Sequence, residues 1–460
     1  MITTIIIVMA IYFLAMIGIG WMGRKNADSF NSYLNTGRKA GVLLIMGGAI
    51  GGHIGNGFVV GGAGSGAEMG ISGIWYGIGC ALSYVVLSFT INDYIYKKGY
   101  MSLADFLQER YGDKITSLVY SVTTALCFVG NMAAQIMAGR ALFVSLGLNG
   151  TVGAVVITVV VVLYSQISGL WGAFATSVVQ TAIIMIGLIG TTVLLIANGG
   201  IGLIQEAVAS GALPDTMFKL IPMDGATFVM LIVPTCLAIL TDQCALQRIN
   251  SAKSARTSKV AHLLSFVCMI PLAIMPAFVG MYAAAKYGIR DSAAFFTVIL
   301  NALPPLFCAI LVAAVAAAVM SSIDCLFLGT SAVVFHDIYK GMINPDADEE
   351  KLLKMTVWLN IIQASFALIV ALNFTNIVNL LSSTYSFFAA SCLVPFVGGV
   401  LWKKGTKTGA VASSLCGVAL VILNGTGILP LPYASVFPIL PAVIVYVVVS
   451  LCTQKELKTA

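Results

Sequence analysis

Charged residues are scarce in this chain of 460 residues, because Asp, Glu, Lys and Arg together make up only 9% of it. An ordinary soluble domain carries about 25% charged residues. A surface with so few charges cannot mostly face water, so a soluble globular protein is excluded. Long hydrophilic segments are also missing, so the sequence predicts no second, soluble domain. Function is therefore expected inside the apolar part of the chain.

Motifs of metal and nucleophile chemistry are lacking as well. The ten cysteines form no Cys-x-x-Cys pair and no cluster with histidine, which disfavours a structural zinc site or a disulfide framework. His53, Asp242 and Asp324 belong to no His-Glu-x-x-His or Gly-x-Ser-x-Gly motif, so an intramembrane hydrolase is disfavoured. No repeated filter motif favours a channel.

Long apolar runs dominate the sequence instead, and 59% of the residues are hydrophobic. A helix needs about 20 apolar residues to cross a bilayer. The runs predict an all-α polytopic membrane protein with about thirteen transmembrane helices. The predicted spans are 4–22, 40–66, 72–96, 115–147, 151–168, 171–198, 227–246, 259–284, 303–332, 354–372, 376–402, 408–427 and 434–452.

Basic residues are distributed unequally between the loops on the two sides. With the N-terminus outside and the C-terminus inside, all but four of the 24 lysines and arginines fall on the inner side. The exceptions are Arg140, Lys219, Lys286 and Arg290. The net charge of +6 therefore reflects membrane topology and indicates no nucleic-acid partner.

Two of the predicted spans carry signs of interrupted helices. Eleven of the 24 residues from Gly47 to Gly70 are glycine, each costing about 1 kcal/mol in a helix relative to alanine. The seventh span contains Pro234 and then Asp242 near its inner end. Paired interrupted segments are typical of transporters built from inverted repeats. The predicted organisation is 1–39 (first helix and inner loop), 40–198 (first repeat), 199–226 (outer segment), 227–402 (second repeat) and 403–460 (peripheral helices and tail).

Several stretches in the same order resemble the sodium:solute symporter family, whose core has the leucine-transporter fold. They are AAVAAAVMSSIDCLFLGTSAVVFHDIYK (313–340), LQRINSAKSARTSKVA (246–261), SLADFLQERYG (102–112), SGLWGAFATSVVQ (168–180) and KGTKTGAVAS (404–413). The resemblance implies a secondary transporter that carries no enzymatic activity and uses Na+ as its coupling ion.

The resemblance also implies a Na+ site between the interrupted second span and the ninth span. Its ligands would be the carbonyls of Gly51, Ile54 and Ala318 and the hydroxyls of Ser321 and Ser322. Oxygen ligands suit Na+ because it is a hard cation. Asp324 has three readings: it supports the ion electrostatically, carries a proton, or pairs with a basic group of the inner loops. Electrostatic support is favoured slightly over direct ligation. Ser177 stands where many family members have an acid that serves a second sodium, so a second site is doubtful.

The substrate is expected at mid-membrane, beside the interrupted helices. Arg140 has two readings: its side chain reaches the outer interface, or its guanidinium binds a substrate carboxylate. A choline substrate is disfavoured because His53 and Ala134 replace aromatic residues expected around a quaternary ammonium. The candidate substrate residues are His53, Asn56, Phe58, Asn131, Gln135, Arg140, Asp242, Gln243 and Tyr385.

Together these features predict Na+-coupled symport of a small organic solute, a carboxylate or a zwitterion, into the cell across the plasma membrane. The expected partners are the solute, the sodium ion and membrane lipid. The alternative is a proton-coupled carrier in which His53 or Asp324 titrates.

Overall fold

The computed structural model describes residues 2–23, 29–112, 114–166, 169–374, 384, 387–426, 428–429 and 437–454. These residues form helices and loops, with one isolated backbone bridge between Ala40 and Ala252. The first half contains α1 (Ile2–Gly23), α2 (Phe30–Leu34), α3 (Val42–His53), α4 (Asn56–Met69), α5 (Ile74–Thr90), α6 (Asn92–Lys98), α7 (Leu103–Tyr111), α8 (Lys114–Ser145), α9 (Gly150–Ser165), α10 (Gly169–Ala197) and α11 (Gly200–Ala209). The second half contains α12 (Gly225–Ala238), α13 (Gln243–Ser251), α14 (Ala255–Tyr287), α15 (Ala293–Ala302), α16 (Pro305–Ser331), α17 (Glu349–Asn373), α18 (Val394–Leu401), α19 (Lys407–Gly425) and α20 (Ile439–Cys452).

The predicted all-α membrane architecture is confirmed. Within the described residues, eight helices are long and apolar enough to cross a membrane by length and composition. The remaining predicted spans coincide with shorter or broken helices such as α3, α9 and α20. The eleventh span is described only in part, because residues 375–383 and 385–386 lie outside the described residues.

The second predicted span consists of two helices, as its glycine content indicates. Helix α3 ends at His53, and the backbone N–H of Ile54 bonds back to the Ile50 carbonyl. Helix α4 begins at position 56, after the extended residue Gly55. The α-helical hydrogen-bond pattern is therefore interrupted here, and the carbonyls of the last turn of α3 are available to other groups.

The seventh span is also broken, but its predicted breaking point was wrong. Helix α12 continues through position 234 and ends at Ala238. The break covers residues 239–242, and α13 begins at Gln243 with Asp242 as its N-cap, whose side chain accepts from the Cys244 backbone N–H. Transmembrane helices tolerate proline because neighbouring groups satisfy the freed backbone. A proline therefore marks such a break less reliably than an N-cap aspartate does.

Helix α16 lies at the centre of the bundle. From Leu311 to Ser331 its residues are buried without interruption, and it packs against α1, α3, α8 and α10. Alanines at 313, 314 and 316–318 let these helices approach closely, which is the common way of packing helices in a bilayer. A π-helical segment, Ala332–Ile343, extends α16 towards α7.

Asp337 ties this extension to α7 and α8. The hydroxyls of Ser102 and Ser121 donate to its two carboxylate oxygens at 2.6 and 2.8 Å, and all three residues are buried. Next to it, His336 Nε2 lies 3.0 Å from Asp105. The cluster thus fixes the short helix that precedes α8.

Asp337→Ala is expected to lower the free energy of unfolding by about 3 kcal/mol, because it leaves two buried hydroxyls without their partner. The thermal unfolding midpoint of the purified protein measures this change. Asp346→Ala is the matched control, since Asp346 is exposed and lies in the turn just after this segment. Equal midpoints for the two variants would contradict the assigned role of Asp337.

Candidate functional site

The break in the second span faces the serine pair of α16. Ser321 Oγ lies 2.7 Å from the Gly51 carbonyl and 3.2 Å from the Ala318 carbonyl. Both serines are buried, and Ser322 Oγ lies 3.4 Å from the Gly52 carbonyl. Four of the five predicted Na+ ligand residues thus take part in these contacts: Gly51, Ala318, Ser321 and Ser322. The fifth, Ile54, is the buried residue at which α3 is interrupted.

A further oxygen at this junction comes from α10. Ser177 is 1% exposed, and its Oγ has no hydrogen-bond partner among the described residues. A Cβ built on Gly51 would lie 3.2 Å from that Oγ and 3.4 Å from the Ser321 Cβ. A buried hydroxyl without a partner is unfavourable unless something else satisfies it. The carbonyl and hydroxyl oxygens at this junction therefore fit a small, hard cation.

Asp324 does not face this junction, although it follows Ser321 by one helical turn. Its Oδ1 accepts a hydrogen bond from Ser165 Oγ at the end of α9. Asp324, Ser165, Tyr33 and Gly169 line a separate small cavity. Residues three apart in an α-helix differ by about 60° in direction, and with this offset the Asp324 carboxylate reaches Ser165 on α9. Ser165 thus contacts the Asp324 carboxylate, and the electrostatic support of the ion by Asp324 stays a prediction.

A cavity lies beside the two broken helices. Its empty volume is about 950 Å3, including space open to solvent. Ser322 lines it, so the cavity borders the ion junction directly. Its aromatic lining is supplied by Phe58, Tyr76, Phe128 and Phe388. Its polar and charged lining residues are His53, Asn131, Gln135, Thr235, Asp242, Arg248, Ser322 and Thr384.

Five of the predicted substrate residues line this cavity: His53, Phe58, Asn131, Gln135 and Asp242. Gln135 Nε2 donates to Asn131 Oδ1 at 3.1 Å, which joins two of them on one face of α8. Of the remaining candidates, Tyr385 lies outside the described residues, and so does the side chain of Asn56.

Two predicted substrate residues are placed elsewhere. Arg140 is not among the cavity-lining residues; its Cγ would be 3.0 Å from a Cβ on Gly150, at the start of α9. Gln243 is fully buried, donates to the Met101 carbonyl at 2.8 Å and accepts from Tyr120. Gln243 thus anchors the segment before α7, and neither residue contacts the cavity.

Arg248 is a charged cavity residue that was not predicted as a substrate contact. It is 1% exposed, and its Nη1 lies 3.9 Å from Asp242 Oδ2. Nε and Nη1 have no hydrogen-bond partner among the described residues. In the sequence, Arg248 follows Asp242 by six residues and lies just beyond the predicted seventh span, so the charge distribution assigns it to the inner loop.

Two broken helices that face each other across a mid-bundle cavity define a secondary transporter. Residues 33–417 match the family model of the sodium:solute symporter family, so the chain belongs to that family. It is a multi-pass membrane protein, a Na+-coupled solute symporter and not an enzyme. The resemblance read from the sequence stretches is thereby confirmed.

Similar proteins span nearly the whole chain. It is 24% identical to the osmoregulated proline transporter OpuE of Bacillus subtilis (strain 168), covering 99% of this chain and 96% of the relative. It is 24% identical to a sodium/proline symporter of Escherichia coli (strain K12), covering 92% and 88%. A solved Na+-coupled sialic acid symporter in a substrate-bound, outward-open state superposes with a TM-score of 0.83 at 18% identity, covering 98% of each chain. The last likeness confirms the leucine-transporter-like fold.

Proposed function

We propose that this symporter carries a small zwitterionic solute into the cell by alternating access, with proline and similar amino acids as the substrate class. The convergence of Gly51, Ala318, Ser321 and the unpartnered hydroxyl of Ser177 beside the cavity carries the Na+ part of this proposal. The relatives named as proline transporters support the substrate class. Asp242 and Arg248 supply the cavity with one charge of each sign, which suits a zwitterion.

In this proposal, one Na+ is held by Gly51, Ile54, Ala318, Ser321 and Ser322, with Ser177 as an additional ligand. The ion draws the broken helix of the first repeat (40–198) towards α16 in the second repeat (227–402). The repeats are inverted with respect to each other, with the N-terminus outside and the C-terminus inside. Binding shifts the protein towards the state with the higher Na+ affinity, and release to the Na+-poor interior reverses that shift.

Uptake of radiolabelled L-proline into proteoliposomes tests this function. An inward Na+ gradient is expected to concentrate proline inside, with a Hill coefficient for Na+ near one because a single site couples. A proton gradient without Na+ is expected to drive no accumulation. Accumulation driven by protons alone would instead support the proton-coupled alternative, with His53 as the group to examine first. Equilibration without accumulation would indicate a channel.

The amino-acid part of the proposal has its own control. Sialic acid, glucose and choline, supplied in place of proline under the same Na+ gradient, are expected to accumulate much less. If one of them accumulates and proline does not, Na+ symport stands and the substrate class is wrong.

A further inference from the structure

His53 occupies a position where its environment fixes its hydrogen-bonding role. It is the last residue of α3, and it lines the cavity at the break. Its ring lies edge-on to Tyr84, with centroids 5.1 Å apart, and Tyr84 stacks on His262 at 5.4 Å. Tyr84 and His262 are fully buried. The imidazole is therefore held by a rigid aromatic partner on one side and faces the cavity on the other.

The tautomer of His53 follows from the single proton of the Tyr84 hydroxyl. Tyr84 Oη lies 2.7 Å from the Ala49 carbonyl oxygen and 2.6 Å from His53 Nδ1. A carbonyl only accepts, so the phenol must donate to Ala49. The Tyr84 oxygen then accepts from His53, which requires a proton on Nδ1. In a neutral imidazole with Nδ1 protonated, Nε2 is a hydrogen-bond acceptor.

Nε2 is thus an acceptor at the cavity side of the ring. The contact to Tyr84 uses Nδ1, and His53 lines the cavity, so Nε2 is the ring nitrogen left for a group that binds there. An uncharged imidazole is also the form that a partly buried site favours, because an unpaired buried charge is costly. A group that satisfies Nε2 must therefore bring its own N–H or O–H.

The neighbouring charged groups specify what kind of donor fits. The Asp242 carboxylate lines the same cavity and attracts a positively charged group. Arg248 Nη1 lies 3.9 Å from that carboxylate, too far for a hydrogen bond, and Arg248 Nε and Nη1 are without acceptors in the described part of the chain. The Asp242 carboxylate and the Arg248 guanidinium thus lie side by side. The carboxylate matches the ammonium group of an amino acid, and the guanidinium matches its carboxylate. The aromatic lining leaves an apolar environment for the remainder of such a molecule.

We propose that His53, as the neutral tautomer protonated on Nδ1, accepts a hydrogen bond from the protonated amine of an amino-acid substrate whose carboxylate binds Arg248. Tyr84 is a positioning residue, because it fixes the tautomer without touching the substrate. The inference rests on the proposed transport of zwitterions and goes further by assigning the contact that selects an amine with an N–H.

Two analogues of L-proline separate the amine contact from the rest of the molecule. N,N-dimethylproline keeps both charges and has no N–H. Tetrahydrofuran-2-carboxylate keeps the ring and the carboxylate but replaces the amine by oxygen. Wild-type protein in Na+ is expected to bind L-proline at least about tenfold more tightly than either analogue, measured by thermal stabilisation, because hydrogen bonds from charged groups are stronger than neutral ones.

Substitutions at His53 and Tyr84 then test the assigned roles. His53→Phe is expected to remove most of the preference for L-proline over N,N-dimethylproline, and His53→Gln to restore part of it because its amide oxygen can accept. Tyr84→Phe is expected to raise the KM of uptake more than it lowers kcat. In all three variants, stabilisation by Na+ alone is expected to remain, which shows that they fold and keep the ion site.

The outcomes distinguish this inference from the proposed function. Unchanged preference in His53→Phe overturns the role of His53 while leaving zwitterion transport intact. If Na+ stabilises the wild-type protein but L-proline does not, the substrate class and this inference both fail, and Na+ symport survives. If Na+ itself gives no stabilisation, the proposed ion site is wrong.

Discussion

Replacement of Ser321 by alanine is expected to raise the Na+ concentration for half-maximal uptake by about tenfold or more. The hydroxyl lies 2.7 Å from the Gly51 carbonyl and is the α16 side chain that meets the break in the second span. Removing one oxygen from a small set of neutral ligands weakens the binding of Na+, because none of the proposed ligands is a carboxylate that could compensate. Since the serine is buried and small, the variant is expected to fold and to reach nearly wild-type uptake at saturating Na+.

Two further substitutions show whether the effect is local. Ser322→Ala is expected to raise the same Na+ concentration, though less, because its contact to Gly52 is longer, at 3.4 Å. Thr330→Val on the same helix is the control. Thr330 is buried, and its hydroxyl bonds to the Leu326 carbonyl of its own helix. Normal Na+ dependence in Ser321→Ala would contradict the assignment of the ion to this junction.

Gly280→Ala is expected to destabilise the protein strongly, by about 3 kcal/mol or more. A Cβ at Gly280 on α14 would lie 1.8 Å from the Ala63 carbonyl oxygen and 2.7 Å from the Ala67 nitrogen on α4. Both contacts are to backbone, so a side-chain rotation cannot relieve them. The two helices must separate, and overpacking of this kind typically costs 1–3 kcal/mol or more. Because α4 carries the cavity residue Phe58, transport is expected to fall as well.

Gly61→Ala on α4 is the matched control, since a Cβ at Gly61 meets nothing within 4 Å. Alanine also restricts the unfolded chain more than glycine does, so this variant is expected to be neutral or slightly stabilised. The fraction of monodisperse protein after purification and the thermal unfolding midpoint measure both effects. Equal behaviour of the two variants would contradict the close packing of α4 on α14.

Local sequence signals predicted the parts of the fold that depend on local energetics. The glycines around Gly51 predicted a broken helix because glycine lowers helix stability wherever the helix is placed. Pro234 misplaced the second break, because packing in the bundle decides whether a proline ends a transmembrane helix. That Ser321 faces Gly51 was inferred from the family resemblance, because no local sequence signal relates residues 270 positions apart.

The differences between the expected and the observed positions of side chains have one physical origin. Sequence gives the position of a residue along a helix, but tertiary packing sets the direction in which its side chain points. Arg140 lies within a predicted span and Arg248 lies just beyond the end of another, yet only Arg248 lines the cavity. Gln243 follows Asp242 directly and points to Met101, away from the cavity. Asp324 likewise points to Ser165 rather than to Gly51.

The most direct test is equilibrium binding of radioactive sodium to the purified wild-type protein and to two variants, Ser321→Ala and Asp324→Asn. The account predicts one saturable Na+ per chain in the wild-type protein, a large loss of affinity in Ser321→Ala, and near-normal affinity in Asp324→Asn. Thermal unfolding of each variant in Na+-free buffer shows that the difference does not arise from misfolding. Wild-type affinity in Ser321→Ala, together with lost binding in Asp324→Asn, would place the ion at Asp324 and contradict the proposed site.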